Sequence, residues 1–484
     1  MLWLDLHLPH LGLDLLRQAA AGKGTGGGEP LVLFEVTGGR QRVHDRNRAA
    51  ARHGIRPGQT LGEALALHDR LILWERDRRS ELQALRGIAA WAVQFTPRLS
   101  LQPPRDVLLE ISGSLRLFGG LPPLLRRVEE GMESLGHHAR AGVAPTPLAA
   151  TLLARAGIRE PILTTEALAR TLRPLPLTLL DRPAPLLERL ERMGLHTIGE
   201  LLRQPREALA RRLGGELLLH LDRLLGRLPD PRIPFAPPDR FDRRLPLPAE
   251  THQSEALLFA IRRLLLELAG LLQARGRGAT RLRLELTSRH ALPERLDLSL
   301  GAPSRDVEHL LSLWRHRLER TPLQAPVEEI RLTVLDLAPL APRQTELGTG
   351  DDKGRDETWQ RVVERLRARL GEDHLLSLAT LADHRPERAW ERRPAGAGEG
   401  APPPGERPLW LLPEPTPLAV EAETPSLRGP LTIRQGPERI ESGWWDGADV
   451  ARDYFVAENP HHERYWIFRE LRHPHRWFVH GIFA

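Results

Sequence analysis

A single carboxylate interrupts the apolar run that opens the chain, MLWLDLHLPH. It is Asp5, and His7 follows two residues later. LWLDL alternates like a short strand, and an acid inside such a strand needs either a partner or a role. Carboxylates are the ligands that hard cations such as Mg²⁺ take. The stretch DVLLEI, residues 106–111, is a second candidate strand. Strand alternation puts its Asp106 and Glu110 on one face, with Arg105 just before it.

A different chemistry is legible in LLERLERMGLHTIGELLRQPREALARRLG, residues 186–214. Its pattern is a helix, a tight turn and a second helix. Gly194, Leu195, Thr197 and Gly199 lie at the turn. Glycines there would let backbone amides approach a phosphate at a helix N-terminus, where the dipole also favours an anion. A helix-hairpin-helix that touches DNA is the expectation.

These residues need a frame. At 484 residues the chain is long enough for several domains. It has no cysteine, so neither a disulfide framework nor a thiolate metal site is available. No apolar stretch reaches the length of a membrane span. Lys+Arg number 69 against 63 Asp+Glu, and lysine stands only at positions 23 and 353. Arginine suits phosphate recognition, although GC-rich coding also produces such a bias. A reducing cytoplasm, and the nucleoid within it, is the compartment expected. The glycine-rich AGKGTGGGEP lacks the Gly-Lys-Ser/Thr of a phosphate loop.

Strands are expected at 2–6, 31–36 and 106–111, and helices at 59–68, 77–92 and 121–135. Short helices broken by Gly and Pro fill about 165–235. Residues 246–338 read as β-α-β-β-α-β. In its strand RLRLELT, Leu282, Leu284 and Leu286 face one way, and Arg281, Arg283 and Glu285 the other. The exposed pair Arg281 and Arg283 is a candidate contact for a phosphate backbone. Residues 391–407 are Pro/Gly/charge-rich, like a linker. The last segment, 408–484, is dense in aromatics and reads as a small β-rich module.

This order of parts resembles the Y-family, translesion DNA polymerases over about residues 1–340. The resemblance implies an α+β right hand. Its palm would span 1–165 with fingers inserted at about 13–75. A helix-hairpin-helix thumb would span 166–238 and a β-α-β-β-α-β little finger 239–340. A linker with a short helix (341–407) and the C-terminal module (408–484) would follow. The tail stretches ADHRPERAW (382–390), RPLWLLPEP (407–415), GPERIESGWWDG (436–447), RDYFVA (452–457) and WFVHGIFA (477–484) resemble the ImuB group of bacterial Y-family relatives. That group is regarded as non-catalytic. It links the sliding clamp, a RecA-like accessory protein and an error-prone replicative-type polymerase in damage-induced mutagenesis.

Active relatives hold two metal ions about 3.5–4 Å apart for phosphoryl transfer. They carry Asp-x-Asp-x-Phe-Phe/Tyr on the first strand and Ser-x-Asp-Glu on a later hairpin. Here Asp5 matches the first acid, while His7 stands at the second, and Pro9-His10 replace the aromatic pair. One register sets Arg105 on the hairpin aspartate, and a shift of one sets Asp106 there. Either loses a carboxylate. The finger motif keeps Arg52 for nucleotide but not its tyrosine. GVAPTPLAATLLARAG replaces triphosphate lysines with Pro, Ala and Thr, with Arg155 and Arg159 nearby. On this reading Asp5 is a relic metal ligand, and Mg²⁺ would be needed only if polymerase activity is retained.

Two attachment points follow from the resemblance. Gln344 and Leu347 fit a clamp-binding Gln-x-x-Leu-Phe peptide that lacks its closing aromatic. Adjacent Trp444 and Trp445 cannot both point inward on a regular strand, so one should be exposed as a partner anchor. The expected function is a catalytically inactive scaffold on primer–template DNA. An active low-fidelity polymerase using Asp5, Asp106 and Glu110 is the alternative.

Overall fold

The computed structural model describes residues 1–20, 29–340, 351–371, 374–394, 406–421 and 423–483. They form two compact units, Met1–Arg369 and Leu370–Ala484. The division falls inside the stretch expected to be a linker.

In the first unit, β1 (Trp3–His7) runs into α1 (Leu11–Ala20). A small subdomain follows: β2 (Leu31–Thr37), β3 (Arg40–Arg46), α2 (Arg48–Arg52), α3 (Leu61–Leu67) and β4 (Ile72–Glu75). Its sheet has the order β3-β2-β4. Val32, Val43, Ala50, Ile55, Leu61 and Ala64 form its core. A Thr60–Glu63 capping box starts α3.

The chain then makes α4 (Arg78–Ala92), β5 (Leu99–Gln102), β6 (Asp106–Glu110), α5 (Leu121–Ser134), β7 (Arg140–Ala144) and α6 (Pro147–Ala156). The second sheet has the order β5-β6-β1-β7, and every pair in it is antiparallel. Its two faces differ because the side chains alternate. Leu4, Leu6, Val107, Leu109 and Val143 join α4 and α5 in one apolar core. Trp3, Asp5 and His7 fall on the opposite face, opposite Glu110, Leu108 and Asp106 of β6.

Helix α6 crosses that opposite face. Thr146 caps it, Pro147 takes its first turn, and Gly157 closes it at φ 74°. Gly142 of β7 pairs with Asp5 and leaves no room for a side chain. A Cβ there would stand 2.3 Å from the Ala150 carbonyl and 2.4 Å from the Ala154 amide. This close approach brings the last turn of α6 down to the strand that carries Asp5.

Five short helices follow, α7 (Thr165–Leu172), α8 (Ala184–Arg192), α9 (Ile198–Arg203), α10 (Arg206–Leu213) and α11 (Gly215–Leu224). The third sheet is built from β8 (Asp242–Thr251), β9 (Arg277–Thr287), β10 (Glu294–Ser304) and β11 (Val327–Pro339), in the order β10-β9-β11-β8. Helices α12 (Ser254–Arg275) and α13 (Val307–Arg320) pack on one face of it, around Trp314. This is the β-α-β-β-α-β order expected.

Helix α14 (Asp351–Leu370) is longer than the short linker helix expected, and its C-terminal half belongs to this core. Ala368 packs there, and Glu364 accepts from the Gly301 amide (2.7 Å) and pairs with His309 Nε2 (2.6 Å).

The second unit opens with a hairpin of β12 (Leu376–Thr380) and β13 (Trp390–Pro394). Next come β14 (Trp410–Pro417), a small pair of β15 (Ala419–Glu421) and β16 (Thr424–Ser426), then β17 (Thr432–Ser442), β18 (Val450–Glu458), β19 (Arg464–Glu470) and β20 (Trp477–Ile482). The five-stranded sheet has the order β14-β20-β19-β18-β17. Tyr454, Trp466 and Phe468 fill one of its faces, with Tyr454 and Trp466 stacked at 4.2 Å. Among the described residues no helix is long and apolar enough to cross a membrane.

Candidate functional site

Asp5 and Asp106 project from adjacent strands onto the face beneath α6, two residues out of register and so on the same face. Their fates differ. Both oxygens of Asp106 are engaged: His7 donates from Nδ1 to Oδ1 at 2.5 Å, and Arg155 donates from Nη2 to Oδ2 at 2.8 Å. Burial alone would push the Asp106 carboxyl up, but the His7 hydrogen bond and the Arg155 charge outweigh it and hold it below the usual range. Burial lowers the Arg155 guanidinium, and the Asp106 charge more than restores it. Asp181 stands 3.6 Å from the same guanidinium.

Asp5 is fully buried, no donor group meets either of its oxygens, and the polar group it shares a hydrogen bond with is the Asp106 carboxyl. Burial first, and the neighbouring Asp106 charge second, push its carboxyl well above the usual range. The site therefore holds one acid that is fully paired and a second whose charged form its surroundings disfavour.

The other residues marked by the sequence lie elsewhere. Arg105 does not face Asp5; it turns to the small subdomain, where its Nη2 meets His44 Nε2 at 2.8 Å. Of the two registers left open above, the structure brings Asp106 and not Arg105 onto the Asp5 face. Glu110 shares the strand face with Asp106 but sits opposite Trp3. There it accepts from the amide and hydroxyl of Ser112, with Arg98 at 3.8 Å, so it does not join the two aspartates. Arg52 ends α2 with its side chain exposed. The sequence reading took His10 only as a replacement for an aromatic, whereas it fastens the turn after β1 to Asp45 of β3 at 2.9 Å. It also passed over Arg155 as an unmatched neighbour.

At the helix-hairpin-helix turn the expected phosphate capture needs correction, because every amide involved already has an acceptor. Gly194 donates to Glu191 (2.8 Å), Leu195 to Leu190 (3.1 Å) and Gly199 to the Arg173 carbonyl (2.9 Å). His196 and Thr197 both donate to the Glu200 carboxylate, at 2.7 and 3.0 Å. Glu200 and Thr197 form a capping box, so the protein's own carboxylate fills the anion place at the start of α9. Gly199 is a packing glycine: a Cβ would fall 2.8 Å from the Arg173 carbonyl. Gly194 serves the turn itself, at φ 72°.

On the third sheet, Arg281 and Arg283 do lie on the face away from the helices. Both pair with Asp297, at 3.3 and 2.7 Å. Arg295 and Arg331 pair with Glu285 on the same face. The face is a lattice of alternating charge rather than a plain basic patch.

In the second unit, Trp444 and Trp445 lie in the turn between β17 and β18, not on a strand. Both are exposed, at 80% and 58%. Exposure was expected from strand alternation, but the pair lies off the strand, where alternation does not constrain them and both rings face out. Their rings meet edge to face at 5.6 Å. Buried Arg385 fixes this turn with a fork to Asp446 (3.0 and 2.8 Å), a contact to the Ala448 carbonyl (3.0 Å) and a second fork to Asp383. The Arg385 hydrogen bonds bring the Asp446 carboxyl down to about 2. Gly443 is required beside it, since a Cβ would stand 2.5 Å from the guanidinium. Trp410, also in the aromatic tail, is exposed as well. Gln344 and Leu347 lie outside the described residues.

Comparison with known proteins places this geometry in a family. The model of the impB/mucB/samB family matches residues 27–155. Protein ImuB of Caulobacter vibrioides is 30% identical over 468 residues, covering 89% of this chain and 100% of that protein. The chain belongs to the ImuB family. The ImuB relationship covers 89% of this chain, and the solved structures named next cover a smaller share. A Dbh ternary complex with partially disordered substrates is 16% identical, covers 70% of this chain and 100% of its own, and has a TM-score of 0.40. DinB from Sulfolobus solfataricus is 14% identical over 69% and 98% of the two chains, with a TM-score of 0.39.

The polymerase resemblance implies divalent metal ions, and the donor set of this ImuB family member does not fit them. Asp5 has two oxygens that no donor group meets, and they are ligand atoms of the right kind. Beside it, however, Asp106 is spent on His7 and Arg155. A fixed guanidinium in the same small site opposes a second cation, strongly so where water is excluded. Among the described residues no group of three or more His, Asp or Glu is placed to hold a metal.

Proposed function

We propose that this ImuB family member is a catalytically inactive, polymerase-shaped scaffold that supports error-prone translesion synthesis and repair after DNA damage. The observation that carries the reading is the full engagement of Asp106 by His7 and Arg155. Phosphoryl transfer by two metal ions needs carboxylates that are ionised and free, and this palm offers neither as a pair. The chain then requires no Mg²⁺ for its role.

Its work is binding. Primer–template DNA lies against the third sheet, where phosphates exchange with Asp297 for Arg281 and Arg283. The helix-hairpin-helix contributes a folded shape and side chains rather than free amides. Gln344 and Leu347 hold the sliding clamp. The Trp444–Trp445 turn anchors the RecA-like accessory protein or the error-prone replicative-type polymerase. A rigid aromatic pair on a pre-set turn loses little entropy on binding, as an interface anchor should.

The test is association of the full chain with the accessory protein and with primer–template in the same samples. Trp444→Ala and Trp445→Ala each weaken protein association by about tenfold or more, while DNA affinity stays unchanged. Association that survives both changes removes the anchor assignment. The second reading, an active low-fidelity polymerase with an altered metal site, draws on the Asp5 oxygens, which no donor group meets.

A further inference from the structure

We propose that Arg155 is the resident counter-cation of the palm: it supplies from within the chain the positive charge that a divalent ion supplies elsewhere, and it conceals a latent divalent-cation site formed by Asp5 and Asp106. The inference deepens the non-catalytic reading above and rests on it.

Three observations carry it. First, the two acids still share one face of neighbouring strands, with Asp5 opposite Leu108 and Asp106 opposite His7, so their side chains lie on a short diagonal. Second, Arg155 is delivered to them by a specific piece of packing. Gly142, paired with Asp5, has no space for a Cβ beneath Ala150 and Ala154, and this contact seats the last turn of α6 on the sheet. Third, the pair is already engaged from within the chain. Arg155 meets Asp106 at 2.8 Å, His7 holds the other oxygen, and the two oxygens of Asp5 are left buried with no donor group on them. With both oxygens of Asp106 already taken and Asp5 enclosed beside it, the two acids do not offer a free pair of carboxylates to Mg²⁺.

Removing the guanidinium breaks that engagement. Asp106 keeps only His7, and two buried carboxyls then face each other without the Arg155 guanidinium, while the Arg232 charge still acts on Asp5. Such a pair, with oxygen donors only, is what a hard divalent ion binds, and binding to the folded state alone raises stability. The step is a substitution of one cation for another; no bond forms or breaks.

The experiment is thermal unfolding of the full chain with and without millimolar Mn²⁺, beside electron paramagnetic resonance of the added Mn²⁺. The wild type is expected to show no Mn²⁺ effect on Tm and no bound Mn²⁺. Arg155→Ala is expected to lose about 5 °C in Tm. Mn²⁺ restores most of that loss and gives a bound-ion signal. In Arg155→Ala/Asp106→Asn the rescue disappears. Arg155→Lys, which keeps a charge, remains near wild type and indifferent to Mn²⁺. The proposal is overturned if wild-type Tm rises with Mn²⁺, if Arg155→Ala is not rescued, or if Arg155→Lys loses as much as Arg155→Ala. Should Arg155→Ala not fold, Arg155→Lys decides between charge and shape. Incorporation of nucleotides by the wild type would sink the inactive reading. Failed rescue in a chain that extends no primer would sink the counter-cation alone.

Discussion

Asp106→Ala should cost about 3 kcal/mol of stability, the penalty for stranding one partner of a buried ion pair. The aspartate is 1% exposed and takes hydrogen bonds from His7 and Arg155. Truncating it leaves a largely buried guanidinium with exposed Asp181, 3.6 Å away, and the neighbouring Asp5. It also frees Asp5, because the like charge that helps keep Asp5 neutral is gone. Asp5 then becomes the substitute partner, so the two sites couple. Asp5→Asn added to Asp106→Ala costs far more than Asp5→Asn alone, a non-additivity expected of residues in one network. Denaturant titration of the four chains measures it. Additive effects would show that Asp106 is an ordinary strand-end acid.

The second prediction concerns pH. The folded-state pKa of Asp5 is raised, chiefly by burial, so between its unfolded and folded values the folded chain holds a proton that the unfolded chain has released. In that window stability falls as pH rises. Asp5→Asn has nothing to titrate. Its stability relative to wild type should therefore climb with pH, starting near pH 4 and approaching 1.36 kcal/mol per pH unit. The advantage stops growing once pH passes the folded-state value. The comparison is made by urea unfolding at pH 5, 6, 7 and 8 at constant ionic strength. A difference independent of pH, or one that favours wild type increasingly at high pH, would mean that Asp5 is ionised and usefully paired.

Much of the frame was legible because its strands alternate and its helices have caps. β1, β6 and β9 each read correctly from apolar spacing, and so did the β-α-β-β-α-β order of the third sheet. β3 was not legible: RQRVHDR holds a single buried apolar side chain, Val43, and becomes a strand by pairing with β2. The site was half legible. The lone acid Asp5 and the acid Asp106 stood out, but nothing in sequence spacing shows that Gly142 seats α6 and so brings Arg155 to Asp106. Thr197 and Glu200 do carry the capping-box spacing, which is readable and which explains why the hairpin amides are filled. Arg385 and Asp446 lie 61 residues apart, so the clamp on the tryptophan turn emerges only from the tertiary fold.

The most direct test of the central claim is primer extension by the purified full chain on a primer–template, with dNTPs and either Mg²⁺ or Mn²⁺. Asp5→Ala is run beside it, and primer–template binding is measured in the same samples. A palm whose Asp106 is held at both oxygens by His7 and Arg155 predicts intact binding and no extended product from either chain. Extension by the wild type that vanishes in Asp5→Ala would contradict the account and make Asp5 a working metal ligand.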